Sequence, residues 1–226
     1  MATGINDEAA AFLAIALVHM LKLNSSDLGG NHLITAAGMR AFSNVLDNPN
    51  STLEELSLLG CGIDDEVSVI FADALTNNTA LMVMKLEGNQ SISSIGWQAF
   101  SQLVCNKSSI NDTFHSNHTL HQLLDDGNER QVPYKELGDS LRLNRNNNKN
   151  EVVRQKICFS HFQGENINLE ELLGMESDVM PHAIAWIGKD DMGYSPLYQL
   201  VRAMPSLVDH RKEHDSKPKA NNKNNK

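Results

Sequence analysis

The chain has 226 residues, 41% of them hydrophobic, which suffices for one or two domains with a substantial core. Its formal net charge is −9, and because residues 211–226 carry six Lys/Arg against two acids, residues 1–210 stand at −13. An acidic body of this kind excludes the basic face that phosphate neutralisation needs, and equally a surface drawn to anionic lipid.

In chain order, the first candidate element is the apolar run AAAFLAIALV at 9–18. It has the composition of a signal-peptide centre, but Asp7 and Glu8 precede it where a cationic segment belongs, so it reads as a buried helix. No run reaches the roughly 20 apolar residues that span a bilayer. The three cysteines, Cys61, Cys105 and Cys158, are odd in number, widely spaced and without a Cys-x-x-Cys. That predicts neither a disulfide framework nor a zinc ribbon, and points to a reducing, cytoplasmic setting.

From residue 5 onward the chain repeats with a period of 29. Ile5, Ile34, Ile63 and Ile92 are so spaced, as are Ala9, Gly38, Val67 and Gly96. Leu13, Phe42, Phe71 and Phe100 follow suit, and then Leu17, Leu46, Leu75 and Val104. Within each unit these positions fall at i, i+4, i+8 and i+12, the stripe of an amphipathic helix. Between the helices, Leu53-x-x-Leu56-x-Leu58-x-x-Cys61 recurs as Leu81-x-x-Met84-x-Leu86-x-x-Asn89. Alternation at 56 and 58 is the period of a short strand. A less regular earlier copy runs Val18-x-x-Leu21-x-Leu23-x-x-Ser26-x-Leu28, and Leu120-x-x-Leu123 predicts a terminal strand. The turns NPNST, TNNTA and SNHT precede the strands at 53, 81 and 120, as suits Asn side chains that bond local backbone.

This pattern, over residues 5–125, resembles the leucine-rich repeats of the ribonuclease-inhibitor type. The resemblance implies an α/β fold: a short right-handed solenoid of about four coils, with parallel strands on a concave side and helices on the convex side. It implies leucines in the interior and a turn residue, here Ser26, Cys61 and Asn89, bonding the backbone of neighbouring coils. Strand positions between the leucines then face outward on the concave side. They are Lys22 and Asn24, then Glu55, Ser57 and Leu59, then Val83, Lys85 and Glu87.

The period stops after Leu124. Residues 130–210 predict short helices around Leu137 and Leu141, around Val152, Val153, Ile157 and Phe162, and around Ala183, Ile184, Trp186 and Ile187. Together they read as an all-α cap over the open end of the solenoid. Within them GYSPLY at 193–198 resembles one copy of an ankyrin-repeat opening, and 211–226 has the composition of a disordered basic tail.

Candidate chemistry is sparse. His115, His118 and His121 have the spacing of metal ligands, but a turn at 117–119 scatters them, and they read as polar turn residues. Cys158 and His161, as thiol and base, fit a packed helix face equally well. Asp64, Asp65 and Glu66 suit a helix N-terminus, Asp190 and Asp191 form a second acidic pair, and Trp97 is a candidate exposed anchor. Phosphate-loop, dinucleotide, zinc-protease and nucleophile-elbow motifs are absent. The expectation is therefore a non-enzymatic protein-binding module acting through the concave face, without cofactor, metal or small-molecule substrate. The second reading is a regulator of an enzyme, GTPase-activating or inhibitory, which rests on analogy of fold.

Overall fold

The computed structural model describes residues 4–20, 22–124, 134–162, 171–172 and 174–187. Two compact units divide the chain, residues 1–163 and residues 164–226. The first begins with α1 (Asp7–His19), β1 (Ser25–Asp27), α2 (Ala36–Ala41) and α3 (Ser43–Leu46). Then come β2 (Glu55–Ser57), α4 (Asp65–Ala74), β3 (Val83–Lys85) and α5 (Ser94–Val104). It closes with α6 (Ile110–Phe114), α7 (Lys135–Asn144) and α8 (Lys149–His161). In the second unit one helix is described, α9 (Met180–Ile187), covering the predicted apolar positions 183–187. The segments 190–191, 193–198 and 211–226 lie outside the described residues.

The strands form one parallel sheet in the order β1-β2-β3. Pairing sets Ser25, Ser26 and Asp27 against Glu55, Leu56 and Ser57, and these against Val83, Met84 and Lys85. A fourth segment adds a single bridge, Val83 to Gln122. From Ile34 onward the positions spaced by 29 fall in the core: Phe42, Phe71 and Phe100 are fully buried, with Ile34, Ile63, Leu46, Leu75 and Val104 around them, whereas in the first copy Ile5 and Leu13 are only half-buried and Ala9 is exposed. Most of the described helices start where the sequence supplies a capping side chain, α3 and α7 excepted. Asn6 accepts the Ala9 amide at 3.0 Å and Asp64 the Val67 amide at 2.9 Å.

The solenoid expectation is corrected. Among the described residues the molecule is mixed α/β, dominated by helices, with one small three-stranded parallel sheet that does not curl. The physical reasons are visible in the spacing. Each strand is only three residues long. The pairing steps by 30 residues and then 28, after which α6 intervenes and residue 83 finds its partner 39 residues on. The helix expected from the second unit is also split at Phe42 into α2 and α3. Three short strands cannot build an arc.

The first copy is displaced as well. Ser26 is not at the turn: it pairs with Leu56, and Leu28 and Asn31 occupy the places of Leu58 and Cys61. Serine stands where the pattern wants leucine, so the leucines at 21 and 23 mimic the repeat five residues too early.

Candidate functional site

Because side chains alternate across a strand, fixing Leu56 and Met84 inward turns their neighbours to the other face of the sheet. Both are fully buried. The register then places Ser25, Glu55 and Val83 in one row and Asp27, Ser57 and Lys85 in the next. Glu55, Ser57, Val83 and Lys85 are thus brought together, with Leu59 and Glu87 two residues further along. Lys22 and Asn24 precede β1 and are not in these rows; Ser25 and Asp27 take their places. The signal that could have found them was Asn31, whose amide donates to Leu28 O at 2.7 Å as that of Asn89 donates to Leu86 O at 2.8 Å.

The face is electrostatically knit. Lys85 Nζ lies 2.8 Å from Glu55 Oε1 across the β2–β3 pair. The Gly29 amide donates to Asp27 Oδ1 at 2.9 Å. That amide first, and more weakly the charge of Lys85, hold the Asp27 carboxyl below its usual range. Ser57 is buried, whereas Glu55, Leu59, Val83, Lys85 and Glu87 are half-buried. The arrangement is a small polar plate with apolar Val83 and Leu59 at its margins. Beyond it, glycines at positive φ, Gly60 at 58° and Gly88 at 76°, turn the chain out of the sheet. A side chain on Gly88 would come within 3.3 Å of the Gly60 backbone, so the plate ends in bare main chain.

The turn residues form an inner ladder. Asn89 Oδ1 accepts the Cys61 and Ile63 amides at 2.9 and 3.0 Å, and its own amide donates to Leu58 O and Leu86 O. Cys61 Sγ donates to Leu28 O at 3.0 Å, and burial pushes this thiol's pKa up. A second ladder, at the turns that enter the strands, consists of Asn48, Asn78 and Asn117. Asn78 reaches Leu46 O at 2.6 Å, and Asn117 reaches Leu75 O at 2.8 Å and Asn78 O at 2.9 Å.

The other candidates have structural employment. Asp64 caps α4, while Asp65 accepts from the Ser93 amide and hydroxyl and from the Gly96 amide. Glu66 pairs with Arg40. Trp97 is half-buried and tilts against Phe100 with ring centroids 6.3 Å apart. The histidines have different surroundings: His115 sets its edge on Phe114, and the His121 backbone amide bonds Met82 O. His118 is largely buried, with Nε2 3.0 Å from Phe114 O. His161 Nε2 lies 2.8 Å from the Thr113 hydroxyl.

One buried group gave no sequence signal. Lys156, 1% exposed, donates to Val104 O, to Asn117 O at 3.3 Å and to His118 Nδ1 at 3.1 Å. Burial brings its amine down to about 7. Burial, and then the charge of Lys156, push His118 down to about 4. Asn144 donates to Asn117 O and Leu120 O beside it. On the helical side, a depression of about 440 Å³ is lined by Val69, Ile95, Gln98, Gln102 and Asp112 among others.

No family model matches this chain, and a search of curated proteins finds no match to it. No helix among the described residues is long and apolar enough to cross a membrane.

Proposed function

We propose that the protein is a non-enzymatic binding module that engages a partner protein through the outward strand face and its adjoining turns. The observation that carries this reading is the register. It sets Asp27, Glu55, Ser57, Val83 and Lys85 side by side on rigid strands, while the residues between them are committed to the core. A plate of opposite charges already paired within one surface presents a fixed electrostatic pattern, which selects among partners more than it adds raw affinity. The leucine-rich-repeat pattern at 53–63 and 81–89 supports the same reading by resemblance. The three cysteines, two of them buried, form no disulfide, which suits a reducing cytoplasmic setting.

The test exchanges the ion pair. Glu55→Lys combined with Lys85→Glu keeps a salt bridge across β2 and β3 but inverts the pattern that a partner meets. Affinity capture from native lysate with the full wild-type chain should retain a partner that the double variant loses, while both melt alike. Equal capture by the two would remove this face from consideration.

A further inference from the structure

α1 is apolar on nearly every side. Ala10, Ala14 and Leu17 pack inward, yet Phe12 and Ile15 are 67% and 60% exposed. A helix apolar all round is ordinarily buried all round. The flanking residues decide what could cover this one. Glu8 and His19 are exposed and continue the same face, since positions 8, 12, 15 and 19 follow the four-three-four spacing of one side of a helix.

That face is its own complement when reversed. With two copies of α1 antiparallel about a two-fold axis between residues 13 and 14, Phe12 of each copy meets Ile15 of the other. Glu8 meets His19 at both ends, an anionic side chain opposite one that can carry positive charge. Ala11 meets Ala16; both are half-buried and small enough to let the helices close. The helix dipoles oppose favourably as well. Self-complementarity of this kind is what a two-fold contact between identical chains requires.

We propose that the exposed face of α1 is a homodimer contact, in which Phe12 and Ile15 interdigitate and Glu8 and His19 set the antiparallel register. The contact uses none of the strand-face residues and stands independently of the binding function above. A 13-residue helix is about 20 Å long and covers less than the roughly 800 Å² per partner of a standard interface. The dimer is accordingly weak and concentration-dependent.

Sedimentation equilibrium of the full chain from about 1 μM to about 1 mM reads it directly. The expected result is a reversible monomer–dimer equilibrium. Phe12→Glu and Ile15→Glu should each weaken it by about tenfold or more without changing the far-ultraviolet spectrum or the melting temperature, because both sites are exposed. Glu8→Lys alone and His19→Glu alone should also weaken it. An equimolar mixture of those two variants should recover association as a heterodimer, because each copy then meets an opposite charge in the other. A monomer at every concentration, a dimer indifferent to Phe12 and Ile15, or a mixture no better than its components would each overturn the proposal.

Discussion

Residues 53–104 and residues 105–162 face the same problem and solve it differently. In both, each new layer of chain must satisfy backbone groups that the previous layer leaves open. In the first region one side chain does this at a fixed offset: Asn89, 28 residues after Cys61, bonds four backbone groups of two successive turns. In the second the offset is lost. Asn117 stands 39 residues after Asn78, Asn144 follows 27 later, and a lysine on α8 takes Val104 O and shares Asn117 O with Asn144. A regular ladder can be read from spacing; an improvised one depends on contacts made only after folding.

The sharpest way to break the comparison is to remove the regular rung. Asn89→Ala should strand two buried amides and weaken the bonding of two carbonyls, costing about 3 kcal/mol or more in denaturant unfolding. The side chain is only 7% exposed, so water cannot replace what is lost.

The improvised rung should instead reveal itself through pH. Lys156 titrates at about 7 when folded, against 10.5 for the unfolded chain, so between those values the unfolded state holds more protons. Stability therefore rises as pH rises through that window, by at most about 1.4 kcal/mol per unit. His118, at about 4 folded against 6.5, adds a similar rise at lower pH. Lys156→Met should abolish the upper slope in urea titrations between pH 7 and 9 and leave Asn117 O bonded by Asn144. A variant with the wild-type slope would show that the amine is not what titrates.

How much of this was legible follows from the same contrast. Phe42, Phe71 and Phe100 could be placed in the core because helical periodicity and a 29-residue step are both local signals. Glu55, Ser57, Val83 and Lys85 could be placed on one face because they alternate with leucines that must go inside. Lys22 and Asn24 were misplaced because Ser26 fills a leucine position and removes the apolar cue. The curled solenoid failed because sheet curvature depends on how many strands pair, and the step of 39 residues limits the fourth to one bridge. Lys156 was invisible because its acceptors lie 39 and 52 residues away in sequence.

A smaller effect tests whether the helices too are joined by regular rungs. Asp7 bonds the Thr35 amide and hydroxyl, as Asp65 bonds those of Ser93, 58 residues later. Each carboxylate sits over a glycine, Gly38 or Gly96. A β-carbon on Gly96 would stand 2.8 Å from Asp65 Oδ1 and 2.8 Å from the Ile92 side chain. Gly96→Ala should cost about 1–3 kcal/mol despite its better helix propensity, since the close approach of α4 and α5 leaves no room. A stabilised variant would mean that the helices separate freely.

The smallest effect concerns the two unlike members of one ladder. Cys61 and Asn89 occupy equivalent turns, yet Cys61 contributes one side-chain bond to the previous turn, Sγ to Leu28 O, where Asn89 contributes three. The amide of Cys61 is bonded by Asn89 rather than by its own side chain, so Cys61→Ala leaves that bond intact. The loss is then a weak thiol bond and the volume of one sulfur, about 1 kcal/mol, well below Asn89→Ala. Chemistry should agree with thermodynamics. Cys61 is fully buried and its thiol pKa is raised, so it should react with a thiol reagent far more slowly than half-buried Cys158 in the native protein, and only as fast as the chain opens. If Cys61 reacted first, the turn would be open to solvent, and the ladder that distinguishes residues 53–104 from those that follow would be interrupted at its middle rung.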